Sequence, residues 1–189
     1  MGKRKETIKN LIFNIEGVVV LKSKMNFSKF DRKFFLPLGA SEKIVNLCFK
    51  ESVTNKNFDI RDYFKRNSSI LTYKQYKEIT RESYNKERIN KTLVKWLLRK
   101  RKEYKIFLLT NNTIELKRIL KNKFGITDIF NKVFNSAEIG LAKPDPRFFR
   151  YILKKIKSFP KECLFVDNNT ENIKVARKLD FKVIFRKKD

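Results

Sequence analysis

"LIFNIEGVVV", residues 11 to 20, reads as a buried strand whose far end turns polar. The run "IKNLIFNI" is apolar without strict alternation, the pattern of a strand covered on both faces. Asn14 and Glu16 then stand where that strand runs out, two residues apart. In open α/β sheets, ligands sit outside the carboxyl ends of the strands. This stretch therefore predicts the first strand of a parallel sheet and, at its end, part of a site. The amide at position 14 is unexpected there, because it is neutral where a reactive group is anticipated.

Working outward, strand-like and helix-like runs alternate, the mark of a parallel α/β sheet. "TLVKWLLRKRKEY" has helical spacing through Leu93, Trp96 and Leu97, and "KIFLLT" is a second buried strand. "TIELKRILKNKFG" reads as one helix closed by Gly125, followed by a short "KVFNS". A helix from Pro146 carries Phe148, Phe149, Ile152 and Leu153; "CLFVD", the helix "TENIKVARKL" and the strand "FKVIF" complete the pattern. Residues 21 to 90 differ: they are aromatic and basic, with helical character, and read as a small helical cap inserted over the sheet's carboxyl edge. The expected organisation is an α/β core from residues 1–20 and 91–189, with the cap at 21–90.

Three further segments bring polar residues to that edge: Thr110-Asn111-Asn112, Asp167-Asn168, and Lys143 in "GLAKPDPRFF". Each has a plainer reading. Thr110 and Asp167 would serve as helix caps, and Lys143 as one solvated lysine among many.

The composition narrows the classes. At 189 residues with 18 Phe and 41% apolar content, the chain fits one domain with a real core. No run of about 18 apolar residues appears, so no membrane span is expected. The start "MGKRKETIKN" lacks the apolar region of a signal peptide, and Glu6 stands where myristoylation wants Ser or Thr. With no His, and with Cys48 and Cys163 outside any motif spacing, zinc sites and Cys-His or Ser-His catalysis find no support. An intracellular, reducing compartment is the default. The net charge of +26 is the unusual quantity: it points to polyanionic partners, or to drift toward lysine.

Taken together, "FNIEGVV", "LLTNN", "GLAKPDPRFF" and "FVDNNTEN" resemble the four motifs of the haloacid dehalogenase-like hydrolases, most closely the capped phosphatase branch. The resemblance implies a Rossmann-like three-layer fold with a parallel sheet. It also implies an attacking Asp at position 14, an acid/base Asp at 16, phosphoryl-gripping groups at Thr110, Asn111 and Lys143, and Mg²⁺ held by acids at 167 and 168. Asp167 matches, and Asn172 matches the trailing Asn of the last motif. Asn14, Glu16 and Asn168 depart from the pattern. An amide does not attack phosphorus, and the extra methylene of Glu16 displaces its carboxyl by roughly an ångström, a shift that can cost about 10²-fold.

From these departures the expectation is a catalytically inactive member, with no cofactor and Mg²⁺ only if residual activity remains. It would act as a basic binding or structural module for RNA or a ribonucleoprotein assembly such as a ribosome. The runs Arg99-Lys100-Arg101-Lys102 and Arg186-Lys187-Lys188 are the nucleic-acid candidates, with Phe30, Phe34 and Phe35 as stacking surfaces. Two alternatives remain: a Mg²⁺-dependent phosphatase of a small phosphate ester, using Glu16 or water in an altered mechanism, and a scaffold for an acidic protein partner.

Overall fold

The computed structural model describes residues 7–21 and 87–187, with short stretches between 50 and 66. A five-stranded parallel sheet forms its centre, in the order β5-β4-β1-β6-β7. These strands are β1 (Asn10–Phe13), β4 (Lys105–Thr110), β5 (Lys132–Asn135), β6 (Cys163–Asp167) and β7 (Lys182–Phe185). Two short strands, β2 (Val20–Leu21) and β3 (Arg88–Ile89), pair antiparallel apart from it. The intervening segment thus leaves and returns at one place. The expected cap, with Cys48 and the stacking phenylalanines, falls largely outside the described residues.

Strand alternation decides the layers. Leu11, Phe13, Ile106 and Leu108 face one side, where they pack with Val94 and Leu97 of α1 (Lys91–Lys100) and with Leu116 and Leu120. Ile12, Phe107, Leu109 and Phe165 face the other. There they meet Phe148, Phe149 and Ile152 of α4 (Pro146–Ile156) and Ile173 and Ala176 of α5 (Thr170–Lys178). Helices on both faces of a parallel sheet give the expected three-layer architecture.

Two elements differ from the sequence reading. Strand β1 spans four residues rather than eight, because the chain turns immediately after Phe13: Ile15 O accepts from the N–H groups of Val18, Val19 and Val20. The single helix expected after Thr113 is α2 (Leu116–Ile119), and Leu120–Phe124 then widens into a π-helical turn. That turn ends at Gly125, whose φ of +62° is the left-handed conformation glycine adopts without strain. A further short helix, α3 (Ser136–Ile139), follows β5 directly. Among the described residues no helix is long and apolar enough to cross a membrane.

Candidate active site

The carboxyl ends of β1, β4 and β6 lie side by side in the sheet, so their trailing loops share one edge. Asn14 follows β1, and its backbone N–H donates to Val166 O of β6 at 2.9 Å. Lys143 reaches the same point from the loop before α4. Its Nζ donates to Asn14 Oδ1 at 2.9 Å and to Asp167 Oδ2 at 2.7 Å. The Lys143 main chain is held from β4: its N–H donates to Asn111 Oδ1 at 2.8 Å, and its carbonyl accepts from Asn111 Nδ2 at 2.7 Å. Asn111 thereby holds the Lys143 main chain in place.

The plain readings fail for two of these residues. Lys143 is buried, not solvated. Asp167 does not cap α5; that role belongs to Asn169, whose side chain accepts from Glu171 and Asn172 N–H. Asp167 instead accepts from Lys143, from Asn172 Nδ2 at 2.9 Å and from Asn169 N–H at 2.9 Å. Burial holds the Lys143 ammonium below its ordinary proton affinity, opposed first by Asp167 and then by Glu16. Thr110, at the end of β4, is fully buried, and its hydroxyl oxygen finds no hydrogen-bond partner among the described residues. A buried hydroxyl without a partner is a group kept for a ligand or a water.

Glu16 is half-buried, and its carboxylate accepts from Asn112 Nδ2 at 3.2 Å. Asn112 is fixed in turn: its N–H donates to Ser136 Oγ at 3.1 Å, and its Oδ1 accepts from Thr113 N–H at 2.8 Å. The longer side chain thus has a prepared partner on the neighbouring strand. Neither Asn112 nor Ser136 was singled out as a site residue by sequence; the signal was Asn112's place in "LLTNN", directly after the two residues that were. Asn14 Nδ2 donates to the Glu16 carbonyl at 2.8 Å, and the side-chain amides of Asn14 and Asn168 lie 3.2 Å apart. Gly17, at φ +76°, lets Asn168 approach: a Cβ on Gly17 would meet Asn168 Nδ2 at 2.0 Å.

The basic runs do not join this cluster. Arg99 to Lys102 end α1 and lead into the amino end of β4, so they lie across the sheet from the pocket. The six residues of β4 separate the two edges by about 20 Å. Arg186 is tied down, donating through its backbone N–H to Asp167 O at 2.9 Å and through Nη1 to Val18 O at 2.6 Å. Lys187 is exposed, and Lys188 lies outside the described residues. The two runs therefore belong to opposite edges and form no single basic groove.

Comparison with known proteins places the cluster. A family model described as haloacid dehalogenase-like hydrolase matches residues 26–180. A D-ribitol-5-phosphate phosphatase of Bacteroides thetaiotaomicron is 26% identical over 92% of this chain and 89% of its own. A drimenol cyclase of Aspergillus calidoustus is 42% identical over 38% of this chain, but that match spans only 14% of the cyclase. A HAD family enzyme of B. thetaiotaomicron, solved with magnesium and inorganic phosphate, superposes with a TM-score of 0.77 at 25% identity, over 96% of this chain and 95% of that one. An aspartate-to-alanine variant of that enzyme, also holding magnesium and phosphate, superposes with the same score.

The phosphatase, the HAD family enzymes and the hydrolase family model overturn the expectation of an inactive RNA-binding module. That expectation weighed the departures at 14, 16 and 168 as losses. The structure shows Glu16 bonded to Asn112, and Lys143 bonded to Asn14 and Asp167. The four motif segments converge on one edge of one sheet, the family model spans most of the chain, and so the chain belongs to the haloacid dehalogenase-like hydrolases.

Proposed function

We propose that the chain is a phosphatase-type hydrolase that cleaves a small phosphate ester, with water attacking in place of the carboxylate that position 14 lacks. The observation that carries this reading is the Glu16 carboxylate held at 3.2 Å from Asn112 Nδ2, at the edge where Lys143 and Thr110 converge. A drifting site has no reason to keep a displaced acid in a fixed orientation.

The Lys143 ammonium and the Thr110 hydroxyl receive phosphoryl oxygens. Asn14 Oδ1, already an acceptor, orients the attacking water. A bond forms from the water oxygen to phosphorus as the bond to the ester oxygen breaks. Glu16 supplies a proton to the departing oxygen and recovers one released by the water through the phosphate product. Phosphoryl transfer passes through a loose transition state, so positioning and charge stabilisation matter more than nucleophile strength.

Magnesium fits the oxygens present. Asp167 Oδ1 accepts from Asn169 N–H. With the Glu16 carbonyl it would offer a set with one carboxylate; Mg²⁺ commonly binds one or two carboxylates and completes its shell with water and substrate phosphate. No group of three His, Cys, Asp or Glu side chains clusters among the described residues, so water and substrate phosphate would supply the remaining oxygens. The ion, when bound, neutralises negative charge on the phosphoryl oxygens. The aspartate-to-alanine relative, which holds both magnesium and phosphate, supports a site of reduced acid count.

The test is release of inorganic phosphate from p-nitrophenyl phosphate and from pentitol and pentose phosphates, with Mg²⁺, by protein confirmed by mass spectrometry to carry Asn14. Turnover above background is expected, falling at least tenfold in Glu16→Gln. Background rates on every ester would overturn the reading.

A further inference from the structure

Among the described residues, strand β7 is the outermost strand of the sheet and pairs with β6 alone. Ile184 is 50% exposed and Phe185 41%. Successive strand residues point to opposite faces, so both faces of this edge present apolar surface. The 3₁₀ turn at Pro160–Glu162 packs beside β7, and Phe159, which precedes that turn, is 75% exposed. The opposite edge is protected: Phe134 and Asn135 of β5 are buried and run directly into α3.

An exposed edge with unpaired N–H and C=O groups is a template for strand addition. Charge selects the guest. Lys182, Arg186 and Lys187 bracket the edge, and the whole chain carries +26. Pairing two copies edge to edge would oppose these cations, and a net charge so far from zero keeps like chains apart. An extended acidic segment meets the same cations favourably.

We propose that β7 docks an extended segment of a partner protein that alternates Asp or Glu with aliphatic residues, adding a sixth strand. Main-chain hydrogen bonds hold the segment; its aliphatic side chains share the face of Val183 and Phe185, and its acids share the opposite face, that of Lys182. The Arg186 N–H is bonded to Asp167 O, so the docked strand ends beside the pocket edge.

The experiment titrates the ¹⁵N-labelled full chain with the acetylated, amidated peptide EVEVEVE. The control is a peptide of equal charge in which two valines become proline, which cannot maintain a strand ladder. Shifts concentrated at residues 182–187, with binding at least fivefold weaker for the control, are expected. Phe185→Thr should weaken the first peptide at least fivefold, and Ile184→Thr, on the opposite face, should weaken it less, while the circular dichroism of both stays unchanged; Lys182→Gln, expected to weaken binding as well, serves if Phe185→Thr disturbs folding. Equal binding of both peptides, or no shift in β7, would overturn the proposal. So would self-association that the threonine variants abolish, or a uridine oligonucleotide that displaces the peptide from the same amides.

Discussion

Lys143 Nζ lies 2.7 Å from Asp167 Oδ2, with the two side chains 2% and 0% exposed. Taking two charges out of water costs several kcal/mol per ion, so such a pair survives through its extra hydrogen bonds, here from Asn14 and Asn172.

Removing one partner strands the other. Lys143→Met should destabilise the fold by about 3–5 kcal/mol, because a buried carboxylate is left uncompensated. The double variant Lys143→Met with Asp167→Asn should lose less than the single one, since no net charge then remains buried at this point. Urea unfolding midpoints, at unchanged slope, measure both. A single variant within about 0.5 kcal/mol of the parent, the usual effect of an ordinary surface substitution, would contradict the buried pair.

Asn112 touches the acid and not the phosphate, so its removal should act through Glu16. Asn112→Leu is expected to lower kcat by about 10- to 100-fold, the scale of a misplaced catalytic group, with KM little changed. A purely structural role would instead show as a lowered urea midpoint, with kcat per folded molecule unchanged.

Much of this arrangement is legible in the chain. The runs around Leu11–Phe13, Ile106–Leu109 and Cys163–Val166 are apolar on both faces, which parallel strands between helices require, and polar residues follow each run at once. What is not legible is partnership. Asn112 sits one position beyond Asn111, and only the register of β4 against β5, with Thr110 opposite Asn135, shows that Ser136 anchors the second asparagine and frees its amide for Glu16. Arg186 reads as part of a basic tail, yet the end of β7 brings it onto Val18 O. The π-helical turn at Leu120–Phe124 leaves no trace in helical spacing, which tolerates one extra residue before Gly125.

Gly17 makes a separable prediction. Its φ of +76° and the near approach of Asn168 both oppose a side chain. Gly17→Ala should cost about 1–3 kcal/mol, the scale of a residue held in a sparsely populated backbone region. Adding Asn168→Ala should recover the steric part and leave the backbone part. Thermal melts of the two variants give the split; full recovery would mean that backbone strain contributes nothing.

The amino ends of β1 and β6 are tied by a surface ion pair. Glu162 accepts from Lys9, from Phe159 N–H and from Ser158 Oγ, and these bonds, led by Lys9, hold its pKa down from the usual carboxylate value to about 2. A depressed carboxylate contributes stability that is present above its ordinary pKa and lost as pH falls through the folded value. The parent should therefore lose this contribution between about pH 4.5 and 2. Glu162→Gln should be less stable near neutrality and show a flatter decline over that window. Parallel acid-unfolding curves would show that the pair is energetically silent.

The most direct test is at position 14 itself. Asn14→Asp changes one atom group and places a carboxylate where the neutral amide now accepts from Lys143. Three consequences follow from charge alone. A second anion beside Lys143 should raise its proton affinity, opposing the lowering that burial imposes. The oxygen set with Asp167 gains a second carboxylate, so magnesium should bind more tightly, measurable by calorimetry without any substrate. A carboxylate can also attack phosphorus and form a covalent intermediate that water then cleaves. Turnover should rise at least tenfold, equivalent to about 1.4 kcal/mol of barrier, and a burst of released alcohol should appear in rapid-mixing traces if breakdown of the intermediate becomes slow. The parent should show no burst, because water attacks it in one step. Tighter magnesium without faster turnover would mean that Glu16, supported from Asn112, is placed for direct hydrolysis and not to serve a carboxylate nucleophile. A burst in the parent, after deamidation at 14 is excluded by mass spectrometry, would show that another group on this chain is the nucleophile and would overturn the single-step proposal.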